Sequence, residues 1–554
     1  MSDQKEVPVS EAVVHSSSSS SNFSSPKETF NSASNAKQNW FEKLYQNNKH
    51  KEVEEKLADE TLKLVQKLDG KVPDFTPEQE KKLFRKLLFT IVPLVFMVNA
   101  TLFIDKNAVG YSSLLGVFPD MNIDKAKYNN IQTFFYVGYF VGQVPSHLAF
   151  QKYPVSKYVT VITASWALIS FCTLASKSYA GMSVLRLILG MVESGVTPCI
   201  EHTLSMFFTP EEQAFINPVF WISCLGIDVP TGFIAYGLQF TTKWRPWKWY
   251  WLMIGILSTL VSIVCFFFYP DNPAQSVIFT PEERLHIIKR VKKASKSSIE
   301  QKTFKAYQFV ECIKDPISWL FFLFCLMNML ENSTTYQASI IYSSLGFSNL
   351  TTTLLMVVQN GFSTCCALVG ATTLYLFRKQ SCIVAVCYLI PACVGAIIAI
   401  SIDYDNKPML AGIFMTRTNG TAYIISFALC QSTAAGYTKR LTRTAMFMIA
   451  YSIGNVISPQ MWRPYMAPRY TVPWVIQIVF SWGLAPITLL VIRFILKRRN
   501  DQRLKLMEED PLDERLDYGY VDIKDEEGQV VREKVDVSML DLTDLENVRF
   551  IYPL

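Results

Sequence analysis

Charge is scarce in this sequence. Only 18% of its 554 residues are charged, below the roughly 25% of a soluble domain, and those crowd both tails and one central stretch. Histidine is scarcer still, five in all and dispersed along the chain, which excludes histidine-box metal chemistry. Neither G-x-S-x-G nor H-E-x-x-H occurs, so those hydrolase and zinc-protease signatures are missing. No basic stripe interleaved with stacking aromatics occurs, so the net charge of +6 does not point to nucleic acid. Twelve cysteines are present, but none forms a C-x-x-C pair, and nearly all, from Cys172 to Cys430, lie in or beside apolar segments. They read as small apolar residues, not as disulfides or metal ligands. The polar first eighty residues predict no cleavable signal peptide, leaving the first apolar helix to direct insertion. No enzyme activity, cofactor or metal is expected.

What is abundant is apolar length: half the residues are hydrophobic and 13% are aromatic. About twenty mainly apolar residues span a bilayer as a helix, and twelve such segments occur. The first six are 87–107, 128–150, 158–177, 180–207, 214–241 and 247–269; the second six are 317–343, 351–377, 381–402, 408–432, 441–463 and 471–496. The expected fold class is an all-α membrane protein with twelve transmembrane helices in two six-helix halves. The expected domains are a polar tail (1–80), a first half (81–270), a basic loop (271–316), a second half (317–496) and an acidic tail (497–554). In the first tail, Ser16 to Ser21 reads as disordered and Trp40 to Leu68 as weakly amphipathic helix.

Orientation follows the Lys/Arg bias of short loops. Lys81, Lys82, Arg85, Lys86, Lys152, Lys157, Arg378, Lys379, Lys439, Arg440, Arg443 and Lys497 to Arg499 fall on one side, with the basic loop. The other side holds Lys125, Lys243, Arg245 and Arg469 without a comparable cluster. Both termini are therefore expected in the cytosol.

A charge at the bilayer centre costs about 2.5–3.5 kcal/mol on insertion scales, so charges inside apolar segments mark cavities or pairs. Helix 4 carries Arg186-x-x-x-Gly190-x-x-Glu193, and a spacing of seven returns to one helix face. This stripe suits either a substrate cation with a proton-carrying carboxylate, or a structural ion pair such as Arg186 with Asp105. Gly190 leaves room on that face for a neighbouring helix or a ligand. Asp105 is read as functional or as snorkelling to water, and Lys106 as reaching the interface. Asp228, before Pro230 and Gly232, and Glu331, near Asn328 and Asn332, are read as cavity-facing. Glu201 and His202 suggest a gate or interface. Arg417-x-x-Gly420 in helix 10 echoes helix 4, and two arginines facing one cavity would suit an anion; anchoring near the interface is the alternative. The candidate substrate-binding residues are Arg186, Arg417, Asn328, Asn99 and Tyr136. The candidate proton-coupling residues are Glu193, Asp105, Asp228 and Glu331.

Several stretches resemble the fungal allantoate permease family, in the anion:cation symporter branch of the major facilitator superfamily. They are Phe103-Ile104-Asp105-Lys106, Leu185-Arg186 through Gly190, Glu193 and Pro198, Pro270-Asp271-Asn272-Pro273, and Gly436 through Arg440. Asn455 with Ser458-Pro459-Gln460 and the tail Asp541 to Asn547 complete the likeness. Ser297 to Lys302, Ile495 to Asn500 and Phe550 to Leu554 are similar to the members that carry cysteine. Gln151 to Lys157 departs from the superfamily's aspartate-arginine loop motif.

The resemblance implies a major facilitator fold and a proton symporter of the plasma membrane, passing through the endoplasmic reticulum in transit. Its expected partners are protons, the lipid bilayer and a small anionic or zwitterionic substrate, with no nucleic acid, and it is expected to be monomeric. The substrate is expected to be cysteine or a related sulfur compound; the alternative is allantoate or another carboxylate or vitamin, such as nicotinate or pantothenate. A nutrient sensor with a transporter fold is the rival of another class.

Overall fold

The computed structural model describes residues 53–54 and 75–554, apart from 210–211, 214–215, 217–221, 243, 275, 277, 296–303, 378–379, 403–407, 468, 510–517, 525–529, 537–540 and 548. The serine run, Lys243, Lys296, Ser297 to Lys302, Arg378 and Lys379 therefore lie outside the described residues, as does Trp40 to Leu68 apart from Val53–Glu54, which form a short strand, not a helix.

Twelve helical spans follow in the expected order. The first six are α1 (Pro77–Leu114), α2 (Lys125–Lys152), α3 (Val155–Ala175), α4 (Tyr179–Phe207), α5 (Ile222–Leu238) and α6 (Pro246–Phe268). In the second set, α7 comprises Pro316–Asn328 and Ser333–Ser344, α8 is Asn349–Leu376 and α9 is Ser381–Ser401. The last three are α10 (Pro408–Met415, Thr416–Thr418 and Asn419–Ser432), α11 (Tyr437–Gln460) and α12 (Thr471–Glu508). By length and composition seven are apolar enough to cross a membrane, namely α1, α3, α4, α6, α8, α9 and α12. The other five are shorter, broken or more polar, and they supply most of the wall of a central cavity. A helix facing such a cavity is freed from the hydrophobicity that lipid demands.

Local chemistry explains where spans start and how they pack. Thr76 and Gln79 form a reciprocal capping box at the start of α1, with Pro77 at the first helical position. Along α2 and α4, glycines let two backbones touch: a Cβ added at Gly138 would overlap the Leu187 carbonyl, and one at Gly190 the Phe135 carbonyl. The room at Gly190 is thus filled by a helix. The two halves meet along α2 with α11 and α5 with α8. Where α2 begins and α11 ends, bonds cross between the halves: Tyr128 Oη to the Tyr336 carbonyl (2.7 Å), Gln337 Nε2 to Asn129 Oδ1 (2.6 Å) and Gln460 Nε2 to Thr133 Oγ1 (2.8 Å).

The acidic tail is more ordered than a plain extension. β1 (Val53–Glu54) runs parallel to β2 (Tyr518–Lys524), which pairs antiparallel with β3 (Val530–Asp536). Residues 541–554 then fold onto the ends of α7, α11 and α12. Lys439 reaches Asp544 and Lys305 reaches Asp541, each at 2.7 Å, while Asp315 holds Arg443 at 2.7 Å and Arg499 at 2.9 Å. Burial alone would raise the Asp544 carboxyl, but Lys439 and Arg443 override it and hold it well below the usual carboxylate range.

Candidate functional site

In four spans the helix loses its regularity at a charged residue, whereas the π-helical turn of α12 at Phe480–Leu484 holds none. The α4 helix breaks at Ser194–Gly195, just after Glu193, and α5 turns at Gly226–Ile227, just before Asp228. The α7 helix opens over Met329–Asn332, which holds Glu331, and α10 tightens to a 3-10 turn at Thr416–Thr418, around Arg417. Broken backbone in a membrane survives where neighbours satisfy the freed groups. Here Gln143 Nε2 donates to the Ser194 carbonyl (3.0 Å), Tyr111 Oη to that of Asp228 (3.2 Å) and Ser458 Oγ to that of Leu330 (2.6 Å).

The breaks in α5, α7 and α10 turn their charged residues into a cavity between the halves, with about 110 Å³ of room for the centres of water-sized molecules. Lys106, Asp228, Glu331 and Arg417 all line it. Arg417 donates to Thr335 Oγ1 and to Thr334 Oγ1 (2.8 Å), and its guanidinium is 3.9 Å from Glu331. Glu331 is further held by Thr334 Oγ1 (2.5 Å) and Asn419 Nδ2 (2.9 Å). Asp228 accepts from Asn107 of α1 (2.7 Å) and from Asn360 of α8 (3.2 Å), so one carboxylate ties the two halves together.

Lys106 does not reach the interface. Its Nζ donates to Tyr451 Oη at 2.6 Å and lies 5.0–5.7 Å from the ring centres of Phe103, Phe135, Tyr136, Tyr139 and Tyr451. Such rings offer their negative faces to a cation and stabilise it where water is excluded. Sequence reasoning missed this residue because it ended the first segment at residue 107, whereas α1 continues to Leu114, about two turns further. The signal was available in Phe135, Tyr136 and Tyr139, whose spacing puts an aromatic face on α2.

The remaining candidates lie off the cavity wall. Arg186 donates both terminal nitrogens to the Asp105 backbone carbonyl (3.1 and 3.2 Å) and stacks 4.9 Å from the Trp251 ring centre. It braces α1 against α4, and the bond goes to the main chain, not to the Asp105 carboxylate. Asn99 bonds Ser223 Oγ (2.8 Å), Asn328 bonds Asn419 Oδ1 (2.9 Å) and Tyr136 bonds Tyr336 Oη, so these three are committed to neighbouring helices. Tyr136 still serves the site indirectly, as one ring of the Lys106 cage. Asp105 and Glu193 are fully buried, which removes snorkelling for Asp105, and none of their four carboxylate oxygens has a hydrogen-bond partner. The electrostatic neighbours of Glu193 are Asp105, Lys106 and Arg186. Glu201 and His202 are buried near the far end of α4, with the His202 ring 5.4 Å from that of Tyr437 in α11, a contact between halves.

Twelve spans in two halves around a charged cavity define the class as a membrane transporter. The profile of the Major Facilitator Superfamily matches residues 86–459, and the chain belongs to that family, as an allantoate-permease-like transporter. An uncharacterised transporter of Schizosaccharomyces pombe is 43% identical over 91% of this chain and 89% of its own length. The high affinity cysteine transporter of Saccharomyces cerevisiae is 41% identical over 91% of this chain and 96% of its own. The allantoate permease of the same yeast is 26% identical over 90% of each. Among solved structures, the proton:xylose symporter XylE superposes with a TM-score of 0.56 over 74% of this chain and 95% of its own, at 11% identity, a likeness of fold.

Proposed function

We propose that the chain is a proton-coupled symporter of the plasma membrane, importing a small zwitterionic or anionic substrate, with cysteine or a related sulfur compound the leading candidate. The observation that carries this reading is Lys106, a cation lining the central cavity and within electrostatic reach of the unpaired carboxylate of Glu193. The relative named for cysteine, 41% identical along nearly all of both chains, supports the substrate.

Coupling follows from electrostatics. Lys106 sets a positive charge near Glu193. A substrate carboxylate on Lys106 offsets that charge, and Glu193 then gains by holding a proton, so substrate and proton are taken up together. Asp105, another unpaired carboxylate near Glu193, shares this proton. Arg186 positions the pair by fixing the Asp105 main chain. The two halves then rock about the cavity, with both termini in the cytosol.

Uptake of labelled cysteine by cells lacking their own cysteine transporter tests the reading, with cysteine, allantoate, nicotinate and pantothenate as competitors. Saturable uptake blocked best by cysteine is expected. No uptake of any of the four would sink the transport reading, and uptake of allantoate or a vitamin alone would replace the substrate.

A further inference from the structure

The cavity's charged groups are not equally engaged. Arg417 and Glu331 satisfy one another and two threonines, so that pair is closed. Lys106 and Asp228 are open. The Lys106 ammonium has three donors, and one is used, on Tyr451 Oη. Asp228 is buried and accepts two amide hydrogens on Oδ2, while its Oδ1 has no hydrogen-bond partner. Among the described residues no cation lies within ion-pair distance of Asp228. A buried carboxylate oxygen left without a donor is costly, and this one belongs to a residue that lines the cavity.

The two open groups are held in one frame. Lys106 and Asn107 are consecutive on α1, and Asn107 is the residue that grips Asp228. A cation with donors to spare and an anion with an acceptor to spare therefore both line the cavity.

We propose that Asp228 is the specificity-determining residue that receives the substrate's α-ammonium group, opposite a carboxylate on Lys106, so that the site selects zwitterionic α-amino acids over plain carboxylates. This inference rests on the transporter reading given above and narrows it. An ammonium supplies the donor that Asp228 Oδ1 lacks, and a carboxylate takes a donor that Lys106 has to spare. A carboxylate without the amino group leaves Asp228 Oδ1 without that donor. Loss of one charge-assisted hydrogen bond weakens binding by about ten- to a hundredfold.

The test is ligand binding to the purified full-length chain, with L-cysteine, 3-mercaptopropionate (cysteine without its amino group), nicotinate and allantoate as probes. Wild type is expected to bind L-cysteine about ten- to a hundredfold better than 3-mercaptopropionate. In Asp228→Asn that preference is expected to collapse, through weaker cysteine binding with little change for 3-mercaptopropionate. Equal binding of the pair by wild type overturns the proposal without recourse to any variant. So does a full preference retained by Asp228→Asn, or binding of nicotinate or allantoate in place of cysteine, and both leave the transporter reading standing. If none of the four binds, the functional reading itself fails and takes the proposal with it.

Discussion

Lys106 Nζ of α1 and Tyr451 Oη of α11 lie 2.6 Å apart, a hydrogen bond that joins the two halves inside the cavity. Substrate on Lys106 competes with this bond, which makes it a contact through which binding can release one half from the other. Replacing Lys106 with Met keeps the apolar stem among its rings and removes the charge. Uptake kinetics are expected to show KM raised by about tenfold or more. Tyr451→Phe keeps the ring and the cation, so its effect on KM is expected to be smaller.

Glu193→Gln removes the proton-carrying candidate and keeps the shape of the side chain. Uptake measured at several external pH values is expected to lose its pH dependence and its uphill accumulation, while exchange of substrate across the membrane persists. Normal uphill uptake in this variant would move the coupling role to another carboxylate.

The legible part of this molecule was its apolar length. Twelve spans and their order were readable because a bilayer sets the length of a helix. The break beside Asp228 was readable from Pro230 and Gly232, but the one at Met329–Asn332 was not, since no glycine or proline announces it. Charged residues were readable as unusual, and Asp228 and Glu331 as facing a cavity, but the arginines did not show which way they point. Arg186 and Arg417 look alike in sequence; one braces a main-chain carbonyl behind the cavity and the other lines it. Lys106 was misjudged through a boundary seven residues short of the true helix end, from 107 to Leu114. The tail's docking depends on Lys439, Asp315 and Asp544, far apart in sequence and joined only by the fold.

Asp544→Asn breaks a fully buried ion pair, and removing one partner of such a pair costs about 3–5 kcal/mol. Hydrogen exchange in residues 541–554 is expected to accelerate strongly in this variant. The pH dependence has a definite sign. Since the folded Asp544 carboxyl is held below its unfolded value of about 3.9, its stabilising effect is complete above that value and is lost as pH falls through the folded one. Wild-type protection of the tail should therefore be flat from neutral pH down to about 4 and decline only below it.

Gly190 faces the Phe135 carbonyl with no room for a side chain. Gly190→Ala forces α2 and α4 apart, and overpacking of this kind costs about 1–3 kcal/mol. Thermal unfolding in detergent should show a lowered midpoint, with a larger fall for Gly190→Leu.

The central claim is that proton and substrate enter together through the cavity, and reconstituted vesicles test it most directly. Purified protein in proteoliposomes, given labelled cysteine outside and an inward proton gradient, is expected to concentrate cysteine above the external level. Collapse of the gradient with a protonophore is expected to abolish that accumulation. Accumulation that survives the protonophore, or no accumulation with the gradient intact, would contradict the account.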